Sequence, residues 1–221
     1  MIDILEIKKK PKVSVIIPTY NSERFIEKCI ESVLNQTLKE IEVIVIDDNS
    51  VDSTKSIIEN YAKNDRRIKC FFSKKNRGAG YSRNIGIKIS SGEFIGFIDS
   101  DDFVDQKWYE YLYNNSKDKD IVHGVRVIHN FQKSFNKSKS RLYGCIIPSI
   151  IRKSFIIKKK IEFPIVIDRG EDSTFKKYIY KAKPRIAKLS DNGIYYHYVK
   201  REGSLSRYNN FKILQFFLIY Y

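Results

Sequence analysis

Over residues 13–98, four short apolar runs alternate with segments whose apolar residues recur every three or four positions. The runs are Val13–Ile17 (VSVII), Glu42–Ile46 (EVIVI), Ile68–Phe72 (IKCFF) and Phe94–Ile98 (FIGFI). Each is short and rich in β-branched or aromatic residues, as strands covered on both faces are. Pro18 ends the first run and implies a loop. After it, Phe25, Ile26, Cys29, Ile30, Val33 and Leu34 make one helical stripe, with Asn21 or Ser22 placed as its cap. Ile57, Ile58, Tyr61 and Ala62 form the inner face of a second helix, capped by Asp52 or Ser53. A Gly-bearing loop and a helix over roughly 80–90 precede the fourth run. This alternation implies an α/β fold: a mostly parallel sheet with helices on both faces. Such sheets bind ligands just beyond the carboxyl ends of their strands.

After residue 110 the pattern thins. Ile121–Ile128 reads as one strand, Lys133–Arg141 as a polar, lysine-rich loop, and Ser173–Lys181 as a helix before Pro184. The charge also changes there. The chain of 221 residues carries a formal net charge of +15. Residues 1–110 hold 18 basic and 18 acidic side chains, whereas residues 111–221 hold 23 and 8. The second half therefore either wears a solvated basic surface or faces something anionic, such as a phospholipid surface or a charged acceptor. No zinc-finger, RRM-like or leucine-zipper pattern supports nucleic acid as a partner. No apolar run is long enough to span a bilayer, and the N-terminus lacks the order of a secretion signal. Cys29, Cys70 and Cys145 are scattered without ligand spacing, which fits a reducing cytosol, with Cys29 and Cys70 read as core.

Carboxylates follow two of the strands: Asp47-Asp48 with Asp52, and Asp99-Ser100-Asp101-Asp102. Both groups fall on the same edge of a parallel sheet. If the chain stays extended, Asp99 and Asp101 point the same way and converge on one hard cation, Mg²⁺ or Mn²⁺, shared with substrate phosphates. Acidic loop residues also cap helices and make Asx-turns, which is the expectation for Asp52.

Five stretches taken together resemble the family 2 glycosyltransferases: VSVIIPTYN (13–21), SVLNQT (32–37), EVIVIDDNSVDST (42–54), NRGAGYSRNIG (76–86) and GEFIGFIDSDD (92–102). Gly170-Glu171-Asp172 with Phe175 resembles the family's acidic base motif, and Tyr195–Tyr198 with Arg201–Ser204 its closing segment. The resemblance implies a GT-A fold over residues 11–207. Residues 11–105 would form the nucleotide-sugar half and 106–207 a smaller acceptor half, leaving an apolar tail at 208–221. It implies that Tyr20 lies against the base with the backbone near Pro18, and that Asp48 accepts a hydrogen bond from the base, with Asp47 a less certain partner. Arg83 would contact the diphosphate or sugar, Asn84 would orient the nearby loop, and Gly78 and Gly80 would let that loop approach the ligand. Asp99, with Ser100 beside it, would reach the ribose and metal-bound water. Asp101 would be the direct ligand of Mn²⁺ or Mg²⁺, with His197 a candidate third contact to metal or phosphate, although a histidine between tyrosines is more often a packed side chain. Asp172 would be the base that deprotonates the acceptor hydroxyl, with Glu171 in reserve.

The implied reaction is an inverting transfer of a hexose or N-acetylhexosamine from a nucleotide-sugar, favouring UDP, to a glycan or lipid-linked acceptor of the cell surface. A catalytically silent, basic membrane-binding protein on the same fold is the alternative. The tail FKILQFFLIYY and the basic half together imply a cytoplasmic protein held peripherally on the cytoplasmic face of the membrane. Its abrupt apolar end suggests a chain shorter than its full-length relatives.

Overall fold

The computed structural model describes residues 10–130, 138–140, 146–165 and 170–200. Its elements are β1 (Val13–Thr19), α1 (Ile26–Leu34), β2 (Ile41–Asp47), α2 (Thr54–Asn64), β3 (Ile68–Phe72), α3 (Ala79–Ile89) and β4 (Phe94–Phe97). Then come β5 (Phe103–Val104), α4 (Trp108–Asn114), β6 (Ile121–His123), β7 (Val125–Asn130), β8 (Ser138–Ser140), β9 (Ser149–Arg152) and α5 (Lys153–Lys158). The last are α6 (Glu171–Lys181), β10 (Ile186–Lys188) and β11 (Tyr195–Lys200).

One sheet runs β10-β6-β9-β4-β1-β2-β3 and the other β5-β11-β7-β8. In the large sheet every pairing is parallel except those of β9, which runs antiparallel to both β4 and β6. All seven residues of β1 and of β2 are buried, which is why apolar residues dominate both strands, with Ser14, Thr19, Glu42 and Asp47 as the polar exceptions. The acidic segments after β2 and β4 thus leave the same edge of the sheet, as the alternation implied.

Several expectations are corrected. Pro18 does not end the first strand. Ile98 N–H donates to the Ile16 carbonyl and Asp48 N–H to that of Thr19, so Ile16 and Pro18 face the β4 side and Thr19 faces β2. Pairing with β4 stops at Ile16, so the missing N–H of Pro18 costs no ladder bond. Neither Asn21 nor Ser22 caps α1 by its side chain; the helix begins at Ile26, after a turn in which the Ser22 carbonyl accepts from Phe25 and Ile26 N–H. Cys29 is core, but Cys70 is exposed because β3 is the outermost strand. The run 121–128 is two strands in two sheets, divided at Gly124, where a Cβ would run into the Trp108 ring. Helix α6 starts at Glu171, two residues before the expected Ser173. Ser138–Ser140 pairs with β7 within the expected loop 133–141. The rest of that loop, Cys145, Arg201–Ser204 and the 208–221 tail lie outside the described residues.

At the edge of the sheet away from the acidic loops, Glu42 is 3% exposed and anchors three elements. Its carboxylate accepts from Ser14 Oγ, Ser91 N–H and Oγ, Gly92 N–H and Lys69 Nζ. Burial would raise its pKa, but the bonds from Lys69, Ser14 and Ser91 outweigh burial and hold it at about 2. A carboxyl so depressed stabilises the fold above its unfolded pKa of about 4.3 and loses that contribution as pH falls toward the folded value. Glu42→Gln should cost roughly 2–4 kcal/mol near neutral pH. It should also flatten the fall in stability between about pH 4.5 and 2, read as urea midpoints across that range.

Candidate active site

The loops after β1 and β2 are stitched together by short polar side chains. Asn21 donates from its N–H to Ser50 Oγ at 2.9 Å and accepts at Oδ1 from Val51 N–H at 3.0 Å. Ser22 N–H donates to Thr54 Oγ1 at 2.7 Å, and Glu23 N–H to Asp52 Oδ2 at 3.2 Å. Asp52 also makes the expected turn contact, accepting from Thr54 N–H at 3.0 Å. Asp47 accepts from Ser50 N–H and Oγ; its burial pushes the carboxyl up despite those bonds. Asp48 is almost wholly buried, and its carboxylate accepts from Arg77 N–H at 2.9 Å and Gly78 N–H at 2.6 Å. It therefore pins the start of α3 to the end of β2. Tyr20 stands at the surface of this edge, 47% exposed.

From α3 a single cation reaches into the acidic edge. Arg83 is 2% exposed. Its Nη2 donates to Asp99 Oδ1 at 2.8 Å, and its Nη1 to Glu171 Oε1 at 3.1 Å while lying 3.1 Å from Asp172 Oδ1. Burial alone would lower the guanidinium pKa, but Asp172, Asp99 and Glu171 raise it above its ordinary value, so it stays charged. Asp172 is pushed up to about 6, first by burial and then by the charges of Asp99 and Glu171, against the pull of Arg83. The neighbouring residues of α3 hold the same segment. Asn84 Nδ2 donates to the Phe163 carbonyl and its Oδ1 accepts from Phe163 N–H, both at 2.9 Å. Gly78, at φ +86°, provides the turn into α3. Gly80 serves packing, not ligand approach: a Cβ there would meet the Pro164 carbonyl at 2.8 Å.

The acidic loop is a turn and not an extended strand, because β4 ends at Phe97 and Asp102 N–H donates back to the Asp99 carbonyl at 2.9 Å. The alternating geometry expected for Asp99 and Asp101 therefore does not apply. Asp99 turns to Arg83, Asp101 is half-buried on the turn, and Ser100 Oγ bonds Ser22 Oγ at 2.8 Å. Asp102, which carried no role in the sequence reading, is the anchor. It is 1% exposed and accepts from Tyr196 Oη at 2.5 Å and Val199 N–H at 2.8 Å. Tyr196 Oη in turn accepts from Asp99 N–H at 3.3 Å. Burial, with Asp99 and Asp101 nearby, raises the Asp102 carboxyl well above its ordinary pKa.

His197 is not brought to this cluster as a ligand. Its Nε2 lies 2.8 Å from Asp105 Oδ1 and its Nδ1 2.8 Å from His129 Nε2, and its ring stacks on Phe103 at 4.3 Å. With both nitrogens engaged, the packed reading holds and the metal contact falls away. Among the described residues no three His, Cys, Asp or Glu form a closed metal cage. An open set of one or two carboxylates is nonetheless what Mg²⁺ or Mn²⁺ uses when substrate phosphates complete the shell. Asp99 (28% exposed) and Asp101 fit that requirement.

Residues 14–182 match the glycosyl transferase family 2 profile. The chain belongs to this family. Poly(ribitol-phosphate) beta-glucosyltransferase of Bacillus spizizenii is 33% identical over 209 residues, covering 87% of this chain and 33% of the relative. The Campylobacter jejuni GalNAc(5)-diNAcBac-PP-undecaprenol beta-1,3-glucosyltransferase is 47% identical over 93 residues, 42% of this chain and 30% of the relative. The crystal structure of S. aureus TarS 1-349 in complex with UDP-GlcNAc superposes with a TM-score of 0.76 at 30% identity, covering 87% of this chain and 59% of that one. The fold is thus the expected GT-A arrangement. The chain spans about a third of the length of these two enzymes.

In this family 2 domain, Asp102, Tyr196, Asp105 and His129 were not singled out from sequence. The third acid of the 99–102 cluster was the available signal for Asp102; its partner is 94 residues away. Tyr196→Phe keeps the buried ring and removes only the hydroxyl that joins Asp102 to the Asp99 backbone. It should lower stability by about 1–3 kcal/mol by loosening the acidic turn, read as the shift of the thermal unfolding midpoint. Arg83→Lys should fail to preserve stability, since one ammonium cannot replace a fork that meets carboxylates from two elements.

Proposed function

We propose that this chain carries the transfer of a sugar, with inversion, from a nucleotide-sugar donor (UDP-linked hexose or N-acetylhexosamine) to a hydroxyl of a glycan or lipid-linked acceptor in cell-surface polysaccharide synthesis. One observation carries the reading: buried Arg83 ties Asp99 of the acidic loop to Asp172 and Glu171 at the start of α6. A donor-side carboxylate and a candidate base are thereby held on either side of one guanidinium. The relatives support the donor and acceptor classes through what their names state: UDP-GlcNAc is bound by TarS, and a PP-undecaprenol-linked glycan is named for the Campylobacter enzyme.

In the proposed mechanism Tyr20 and the backbone near Pro18 receive the base. Asp48 shapes this pocket through Arg77 and Gly78, whose N–H groups bond chiefly to Oδ2, and its carboxylate keeps lone pairs to accept a hydrogen bond from the base. Asp101, with Asp99, would hold Mn²⁺ or Mg²⁺, which when bound neutralises charge on the departing diphosphate. Asp172 takes the proton from the attacking hydroxyl; a pKa near 6 makes it mostly ionised at neutral pH yet basic enough to accept. Arg83 keeps Asp172 and Asp99 together without competing for that proton, because it remains a cation. The basic second half would place the protein on the cytoplasmic face of the membrane, where a lipid-linked acceptor is accessible.

Metal-dependent hydrolysis of a panel of UDP-sugars tests the reading, and no turnover of any donor by folded protein would refute it. Asp101→Ala should lower that rate by at least about 100-fold with the unfolding midpoint nearly unchanged. Asp172→Asn should lower the rate by about 10²–10⁴-fold while donor binding persists. Because the base must be ionised, the wild-type rate should rise with pH through about 6 and then level. That limb should vanish in Asp172→Asn; if Glu171→Gln removes it instead, the base lies one residue earlier.

A further inference from the structure

Part of the positive charge of the second half lies on the surface of α5 and α6. Ile157-Lys158-Lys159-Lys160, at the end of α5 and in the turn after it, is an unbroken run of exposed residues, with Ile157 55% exposed. Beside it, α6 turns its buried side, Phe175 and Ile179, inward and presents Lys177, Tyr178 and Lys181 outward, with Tyr178 48% exposed. Lys159, Lys160, Tyr178 and Lys181 share one shallow cleft of about 400 Å³ with Ile161 and Ala182. Lys159 also borders a second cleft with Arg152, Lys158 and Arg185. The acids of that second cleft include Asp120, which is paired with Arg185, and Arg152 is paired with Glu93. Lys158, Lys159, Lys160 and Lys181 make no ion pair among the described residues. The nearby acids Glu162 and Asp118 leave the surface strongly cationic.

Lysines without an ion pair among the described residues, lining a cleft with an exposed tyrosine and continuous in sequence with an exposed isoleucine, are a combination with a specific physical fit. Lysine ammonium groups are drawn to lipid phosphates, while an aliphatic side chain and a tyrosine ring suit the boundary between headgroups and acyl chains. A nucleic acid would use the lysines but has no place for Ile157. We propose that the α5–α6 surface is the face by which this protein docks on an anionic phospholipid bilayer. The inference deepens the membrane-side reading above by naming the surface. Helix α6 links the two sites: Asp172 lies at its start and Lys181 at its end, about 14 Å apart along the axis. Docking by the lysine end leaves the carboxylates clear of the lipid and within reach of an acceptor whose sugars extend from a membrane anchor.

The test is flotation of the full chain with vesicles of phosphatidylglycerol and phosphatidylcholine at low and high salt, with UDP-sugar hydrolysis followed in solution as a separate readout. Wild type should bind anionic vesicles at low salt, release at high salt and ignore pure phosphatidylcholine. Lys159→Gln/Lys160→Asn/Lys181→Gln should weaken vesicle binding on the order of 100-fold, since each surface lysine contributes about fivefold. Soluble hydrolysis should be unchanged in that variant, so failure of docking and failure of catalysis are separable. Ile157→Ser should weaken vesicle binding several-fold without affecting binding to double-stranded DNA. A charge-matched control, Lys55→Gln/Lys63→Gln/Lys88→Gln on exposed α2 and α3 positions, should stay close to wild type. Equal loss in the control, or full binding by the α5–α6 variant, overturns the assignment. So does equal weakening toward vesicles and DNA by the lysine changes with no effect of Ile157→Ser, which would make this a general polyanion surface.

Discussion

The site depends on a guanidinium that has left water. Arg83 is buried among three carboxylates supplied by two separate segments, the turn after β4 and the first turn of α6. Desolvating an arginine costs several kcal/mol and is tolerated only where its donors are met. Here Nη1 and Nη2 are met, whereas Nε is buried without a hydrogen-bond partner among the described residues. Remove the cation and Asp99, Glu171 and Asp172 would face one another uncompensated in a half-buried space, and α6 would lose its reason to begin there. Among the described residues negative charge still outweighs positive in this cluster, and the α6 N-terminus offsets part of the excess through the helix dipole.

What the sequence could reveal follows from how each part is covered. Strands β1 to β4 were legible because each is dominated by β-branched and aromatic residues, and their spacing by helices leaves few topologies. Cys70 misled because an outermost strand can carry the same letters as an inner one; only sheet order tells them apart. The run 121–128 misled for a different reason. Its composition is uniform, and the break at Gly124 comes from a tryptophan sixteen positions upstream. Strands β5, β9 and β10 are two to four residues long and have no period to detect.

Within the candidate site, the acids stood out in recognisable strings, while the residues that hold them did not. Asp102 and Tyr196 are 94 positions apart, and His197 finds Asp105 and His129 at separations of 92 and 68. The sequence offered His197 either as a metal contact or as a packed side chain; it packs on a phenylalanine and a second imidazole, neither of which its own motif could name. The alternation argument for Asp99 and Asp101 assumed extended backbone. One i-to-i+3 bond in the turn removed that premise while leaving both acids at the expected sheet edge.

The bond from Tyr196 to Asp102 has a consequence for how the molecule is made. The ribosome releases the acidic turn first and the strand that fastens it 94 residues later. At ordinary synthesis speeds that interval is about 5–20 s, much longer than local elements need to form. During it, β1 to β4 can already pair, but the buried side of Asp102 has neither its phenol nor the Val199 amide. The nascent chain thus passes through a stage with β1 to β4 assembled and an unfastened carboxylate turn, and acquires its final geometry only when β11 slides between β5 and β7.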